Sequence, residues 1–211
     1  MKVADSSLLL YAVTDRTWLG NNSLAAQVEE SIRAGVTFVQ LREKELPFEA
    51  FVKLATEMKA ITDRYKVPFV INDNIDVAIA CNADGVHVGQ SDWAASDVRT
   101  RIGDGKILGV SVQTVEQAIL AEQNGADYLG VGAVFSTSTK LDADTVSYDT
   151  LKAICTAVSI PVVAIGGISC ENILTLAGVG IAGVAVVSAL FAQPDIAAAT
   201  MELRELVEQL V

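Results

Sequence analysis

One theme repeats along this chain and limits what it can become. A short apolar, β-branched run is followed by an amphipathic stretch, and the stretch ends in a turn such as Ala34-Gly35, Asn124-Gly125 or Gly178-Val179-Gly180. Glycine just past a helix supplies the left-handed residue that ends it. The spacing predicts strands near 8–14, 36–41, 68–72, 85–88, 107–111, 128–134, 161–165 and 183–187. It predicts helices near 23–34, 47–65, 75–82, 93–102, 115–124, 148–157, 170–177 and 195–209. Each strand is thus followed by a helix, at roughly 26 residues per unit, a repeat of supersecondary size. The strands are apolar runs without strict alternation, as expected where helices cover a sheet. Alternation of this kind makes a parallel sheet, and eight units close it into a (β/α)8 TIM barrel of the α/β class. An open doubly wound sheet is the competing architecture, but no Gly-x-Gly-x-x-Gly opens a helix. We therefore expect residues 1–211 to form one compact barrel domain.

In such a barrel the loops after the strands carry the chemistry. The stretch Val70–Asp92 reads as strand, helix and strand, so Asp73 and Asp92 fall on neighbouring loops at the same end of the sheet. Two carboxylates among amides and hydroxyls suit a hard, oxygen-loving cation such as Mg2+. Each also precedes a predicted helix, where aspartate serves as an N-cap, and that reading stands beside the metal one. The segment Ser136–Ser147 is long and irregular for a compact domain, and loops of about a dozen residues are usually functional or mobile.

Composition narrows the partners. A net charge of −11 argues against nucleic acid and against anionic membranes, both of which want a basic surface. No apolar run is long enough for a bilayer span, and the N-terminus lacks a cleavage site, so it reads as a first strand. Cys81, Cys155 and Cys170 are odd in number and unpaired in spacing, and read as buried thiols of a reducing, cytoplasmic setting. His87 is the single histidine, which disfavours histidine triads and poly-histidine metal sites; inside a Gly-flanked strand it reads as a packed core group. Small-molecule ligands remain. Homo-oligomerisation is compatible with the sequence, which does not set it.

Only fifteen Lys and Arg are present, so their placement is informative. Strand two delivers Gln40, Arg42 and Lys44 on one side, with Leu41 and Glu43 on the other. Strand three delivers Asn72 and Asp73, strand five Ser111, and strand six leads into Thr137, Ser138, Thr139 and Lys140. Gly166-Gly167 opening a helix, with Val187-Ser188 at the end of strand eight, matches the phosphate site common in barrels; a tight turn is the plainer alternative. Arg42, Lys44 and Lys140 form a second anion site. About −3 from a diphosphate and −2 from the aspartates stands against +2 from a metal and +3 from these cations, near balance. Neither a convincing nucleophile nor a general base is present. Chemistry needing neither is expulsion of a diphosphate and capture of the resulting cation by a neutral partner.

These stretches resemble the thiamine-phosphate synthase family over nearly the whole chain. The likeness lies in Leu10–Asp15, Gln40–Lys44, Ile71–Asp73, Ala83–Asp92, Gly109–Ser111, Thr137–Lys140, Ile165–Ile168 and Val187-Ser188. It implies a transferase joining hydroxymethylpyrimidine diphosphate to a thiazole phosphate or its carboxylate, releasing diphosphate. It implies that Gln40, Arg42, Lys44, Asn72, Thr137, Thr139 and Lys140 hold the pyrimidine diphosphate, that Ser111 lies beside the diphosphate, and that Asp73 and Asp92 bind Mg2+. Gly167, Val187 and Ser188 would take the thiazole phosphate, and Arg42, Lys44, Ser111 and Lys140 would carry the catalysis. The reaction in that family is regarded as dissociative. Two departures stand out: Ser136 where the family usually has proline, and Gln113 where histidine is common. The rival readings are a thiazole tautomerase-like isomerase and a non-catalytic binder of phosphate ligands.

Overall fold

The computed structural model describes residues 3–89, 95–136 and 145–211. Eight parallel strands close into a barrel in sequence order: β1 (Leu10–Val13), β2 (Phe38–Leu41), β3 (Phe69–Asn72), β4 (Gly85–Val88), β5 (Ile107–Val112), β6 (Tyr128–Val131), β7 (Val162–Ile165) and β8 (Gly183–Val186). The seam between β8 and β1 is in regular register, with Leu10 opposite Val184 and Ala12 opposite Val186. The expected TIM barrel is the fold observed.

Helices α1 (Leu24–Ala34), α2 (Phe48–Tyr65), α3 (Ile75–Ala80), α4 (Ala95–Ile102), α5 (Val115–Gln123) and α6 (Tyr148–Ala157) lie within a few residues of their predicted bounds. Their starts are written locally. Ser23, Asn74, Thr114 and Ser147 each accept a backbone N–H from the first turn, a cap worth about 1 kcal/mol. The predicted helix at 170–177 is instead one 3-10 turn, Ile173–Leu176. The Asn172 side chain donates to the Gly167 carbonyl at 2.8 Å and accepts from the Ser169 amide at 2.9 Å. Those bonds hold the chain in a loop where helical bonding would have begun. A short helix that the sequence reading missed, α7 (Ser188–Phe191), follows β8, and α8 (Ile196–Leu210) closes the chain behind an Asp195 cap.

Two cores result from strand alternation. Side chains such as Leu10, Val39, Leu41, Ile71 and Leu129 point outward into one continuous core beneath the helices. Tyr11, Val13, Phe38, Val70, Ile107, Tyr128, Val163 and Ala185 point inward and fill the barrel, joined by Val3 and Leu8 ahead of β1. The Phe38 ring sits edge-on to Tyr11, centroids 4.6 Å apart, and to Tyr128 at 5.5 Å. All three cysteines are free, but only Cys81 is buried; Cys155 and Cys170 are half-exposed, correcting the expectation of three buried thiols. Their flanking helix and loop lie on the outside of the barrel, where one side always meets solvent. Among the described residues no helix is long and apolar enough to cross a membrane.

Candidate active site at the strand ends

The C-terminal ends of β2, β3 and β5 bring together five of the predicted residues: Gln40, Arg42, Asn72, Asp73 and Ser111. Parallel register makes this unavoidable. Gln40 pairs with Val70 and Leu41 with Ile71, so Arg42 and Asn72 emerge at the same level. The His87 position pairs with Asn72 on one side and Gly109 on the other, which puts Ser111 two residues further along the same rim.

Arg42 is held on both sides. Its amide donates to the Thr14 hydroxyl at 3.0 Å, and its guanidinium faces the Asp15 carboxylate at 3.4 Å. Asp15 also caps the single turn Arg16–Trp18 by accepting from the Thr17 amide. Glu43, on the opposite side of the strand as alternation predicts, pairs with Arg16. Lys44 is exposed beyond these pairs. The partners Asp15 and Arg16 were not foreseen, because nothing in the β1 loop marks a pairing made across strands.

Asp73 has an unusual backbone. Its φ of 59° lies in the left-handed region, which few residues other than glycine adopt. Its amide donates to the His87 carbonyl at 2.9 Å, and the neighbouring Asn72 amide group donates to its carboxylate. The cap of α3 is Asn74, whose side chain accepts from Val77. Asp73 is therefore not the helix cap, and the structure removes that alternative for it. Such a conformation persists only where the surroundings impose it, and it clusters at ligand sites.

Beneath the rim, His87 is buried and both ring nitrogens are engaged, Nδ1 with the Tyr128 hydroxyl and Nε2 with Ser111 Oγ, each at 2.9 Å. Burial alone pulls its pKa down to about 4, so the ring is neutral at neutral pH. Tyr11 and Tyr128, buried and hydrogen-bonded to each other at 2.8 Å, have their pKa values pushed well up by the same desolvation. Neither tyrosine was singled out from the sequence. An aromatic residue inside a short strand reads as core, and these are core; only their hydroxyls have a second role.

On the other side of the rim, β7 ends in Gly166 and Gly167, both with positive φ, at 100° and 66°. A Cβ on Gly167 would lie 2.4 Å from the Ser136 carbonyl, so this crossing admits glycine alone. The pair opens a turn rather than the expected helix. Val187 likewise stands past β8 as the residue before α7, and Ser188 is the first residue of that helix. Of the two family departures, Ser136 is exposed, and the Gln113 side chain reaches the Gly132 carbonyl at 3.3 Å. Asp92, Thr137, Ser138, Thr139 and Lys140 lie outside the described residues. Among the described residues no three His, Cys, Asp or Glu side chains gather as a ready metal cage.

Residues 10–190 match the family described as thiamine monophosphate synthase. Similar curated proteins are thiamine-phosphate synthases of Ruminiclostridium cellulolyticum, 54% identical over 93% of this chain and 94% of that one, and of Clostridium tetani, 49% identical over 92% and 93%. A similar solved structure is thiamine phosphate pyrophosphorylase from Pyrococcus furiosus, with a TM-score of 0.91, 37% identity and 98% of each chain covered.

Proposed function

The chain belongs to the thiamine monophosphate synthase family, and on that footing we propose how its strand ends carry out the reaction. Its activity is that of a thiamine-phosphate synthase, a transferase of thiamine biosynthesis. The substrates are hydroxymethylpyrimidine diphosphate and a thiazole phosphate or its carboxylate. The observation that carries this reading is the convergence of Gln40, Arg42, Asn72, Asp73 and Ser111 on adjoining strand ends of one rim.

In this reading Gln40 and Asn72 orient the pyrimidine, and Arg42, Lys44, Ser111 and Lys140 surround its diphosphate, with Thr137 and Thr139 from the loop after β6. Cations and hydroxyl donors fixed before the reaction stabilise negative charge as it gathers on the leaving group. The carbon–oxygen bond breaks with its electron pair going to the diphosphate, and the neutral thiazole nitrogen closes onto the pyrimidine carbon with its own lone pair. No base is required, since that nitrogen gives up no proton as the bond forms. Gly166-Gly167 backbone amides and Ser188 hold the thiazole phosphate. Ser188→Ala is expected to weaken apparent thiazole phosphate affinity about tenfold, the scale of one hydrogen bond to a charged group, with kcat little changed. Steady-state titration of that substrate checks this, and an unaltered KM would remove Ser188 from the site.

For magnesium, the donors fit. Mg2+ is usually held by one or two carboxylates, several waters and substrate phosphates, without a full protein cage. Asp73, displaced from helix capping and presented by a strained backbone, is such a carboxylate, and Asp92 would be the second. A bound ion would neutralise charge on the departing oxygens. Asp73→Asn keeps the size and hydrogen bonding and removes the charge. It is expected to raise the Mg2+ concentration for half-maximal turnover roughly tenfold or more, read by titrating metal into enzyme stripped with a chelator. An unchanged metal response would refute the assignment.

The deciding experiment supplies each substrate alone and both together, with and without Mg2+. Diphosphate release that needs both substrates and metal supports the proposal. Isomerisation of a thiazole alone would indicate a tautomerase, and saturable binding without turnover a phosphate-ligand binder.

A further inference from the structure

We infer that the buried chain Gln40–Tyr11–Tyr128–His87–Ser111 is a polarised hydrogen-bond relay that sets which way Ser111 presents its hydroxyl to the rim. Tyr11, Tyr128 and His87 are its positioning residues. The roles of the two end residues rest on the proposed function; the relay itself rests on geometry.

The chain crosses the barrel interior from β2 through β1 and β6 to β4 and β5. Gln40 Nε2 donates to the Tyr11 hydroxyl. Tyr11 and Tyr128 hydroxyls are 2.8 Å apart, Tyr128 and His87 Nδ1 are 2.9 Å apart, and His87 Nε2 and Ser111 Oγ are 2.9 Å apart. Gln40, Tyr11, Tyr128 and His87 are all less than a tenth exposed. Each phenol has one proton to give, and a neutral imidazole has one N–H and one lone pair. The first donor therefore decides every later one. With Gln40 donating, Tyr11 gives its proton to Tyr128, Tyr128 gives to Nδ1, and the ring carries its own proton on Nε2 and gives it to Ser111 Oγ. Ser111 then accepts from below and turns its own proton to an acceptor on the rim side. A reversed junction would set two protons or two lone pairs face to face in a dry core, where a buried polar group without a partner is costly.

Room for the central junction is made deliberately. A Cβ on Gly109 would stand 2.2 Å from Tyr128 Cζ and 2.5 Å from His87 Nδ1, and one on Gly130 would stand 3.1 Å from His87 Cε1. Tyr128 is clamped between Phe38 and Tyr11 and has nowhere to retreat.

The consequence is a link between the two ends of one substrate. A ring that presents an amino donor to Gln40 Oε1 holds the amide with Nε2 on Tyr11, and the relay then aims the Ser111 proton at an anionic oxygen. A ring presenting an acceptor there turns the amide, reverses the relay, and faces the anion with a lone pair. Recognition of the base and stabilisation of the phosphate become one choice.

Because His87 is the single histidine, 15N-histidine labelling reads this junction without overlap. In the folded wild-type protein at neutral pH the expected tautomer carries its proton on Nε2, with Nδ1 as acceptor. Tyr128→Phe should shift the populations toward the other tautomer, and Tyr11→Phe, one step further back, should move them the same way. Kinetically, Tyr128→Phe should lower kcat about fivefold in wild type and less than twofold in a Ser111→Ala background. A wild-type ring protonated on Nδ1 would overturn the relay even if neither variant folds. So would populations indifferent to both variants, or equal kcat losses in the two backgrounds. Failure of the wild-type protein to release diphosphate would instead overturn the reading of the end residues, and the tautomer measurements would still judge the relay.

Discussion

Arg42→Ala is expected to lower kcat/KM for the pyrimidine diphosphate by two to three orders of magnitude while leaving the circular dichroism spectrum unchanged. Removal of one preorganised donor to a developing oxyanion typically costs about 10²–10³ in rate, and Arg42 is also a full charge. A second contribution comes from what it leaves behind. Arg42 and Asp15 face each other at 3.4 Å with side chains 19% and 15% exposed. Deleting the guanidinium leaves a half-buried carboxylate aimed at the space a diphosphate would occupy, and like charges there repel. The loss should therefore be partly repaired by a second change. Asp15→Asn in the Arg42→Ala background is expected to recover several-fold in kcat/KM, whereas Asp15→Asn alone should have a small effect. Steady-state diphosphate release for the four proteins measures both effects. A loss under threefold for Arg42→Ala would take this residue out of the diphosphate site. Strict additivity of the two substitutions would show that Asp15 does not act through the vacated charge.

Why Arg42 was legible and Asp15 was not follows from where the information sits. Strand alternation is a local rule, and Gln40-Leu41-Arg42 obeys it: Gln40 bonds Tyr11 inside the barrel while Leu41 enters the helix-facing core. Parallel closure then supplies the long-range order, because eight runs in one direction leave all their C-terminal ends on one rim. Helix bounds were readable where a cap is a single residue such as Ser23 or Thr114. They failed at 170–177, where Asn172 spends its side chain on the preceding loop and Gly178 and Gly180, both at positive φ, stop the turn that follows. At Asp73 the sequence favoured a metal ligand, because a second aspartate falls on the adjacent strand end, but it left the helix cap open as well. The backbone removes the cap reading, with Asn74 taking the cap and Asp73 at φ 59°. The tyrosine hydroxyls were invisible for a different reason. A tyrosine and a phenylalanine satisfy the same apolar pattern, and whether the hydroxyl finds a partner depends on residues 117 positions apart in the chain.

His87 should also govern how the fold responds to acid. Its pKa is about 4 in the folded protein against 6.5 for an unperturbed ring, and burial is the cause. Between those values the unfolded chain binds a proton that the native barrel refuses, so stability rises with pH through this window and falls as pH drops from 6.5 toward 4. The stabilisation is complete above about pH 7 and gone below about pH 4. A gap of this size corresponds to about 3.5 kcal/mol, at about 1.4 kcal/mol for each pKa unit. The groups facing the ring are hydroxyls: Tyr128, whose own pKa burial drives far above neutrality, and Ser111. Neither offers a negative charge to compensate an imidazolium. Carboxylates such as Glu122, held below the usual range by the Ser159 hydroxyl, weaken the fold in the same direction at low pH, so the raw acid slope is a sum. The difference against His87→Gln isolates the ring, since an amide can still bond both neighbours and does not titrate. Urea denaturation at steps from pH 7.5 to 4.5 should show the wild-type protein losing about 2–3 kcal/mol more than the variant. Parallel curves would mean that the folded ring takes up its proton over the same pH range as an unfolded one, and that burial between Tyr128 and Ser111 does not hold it neutral.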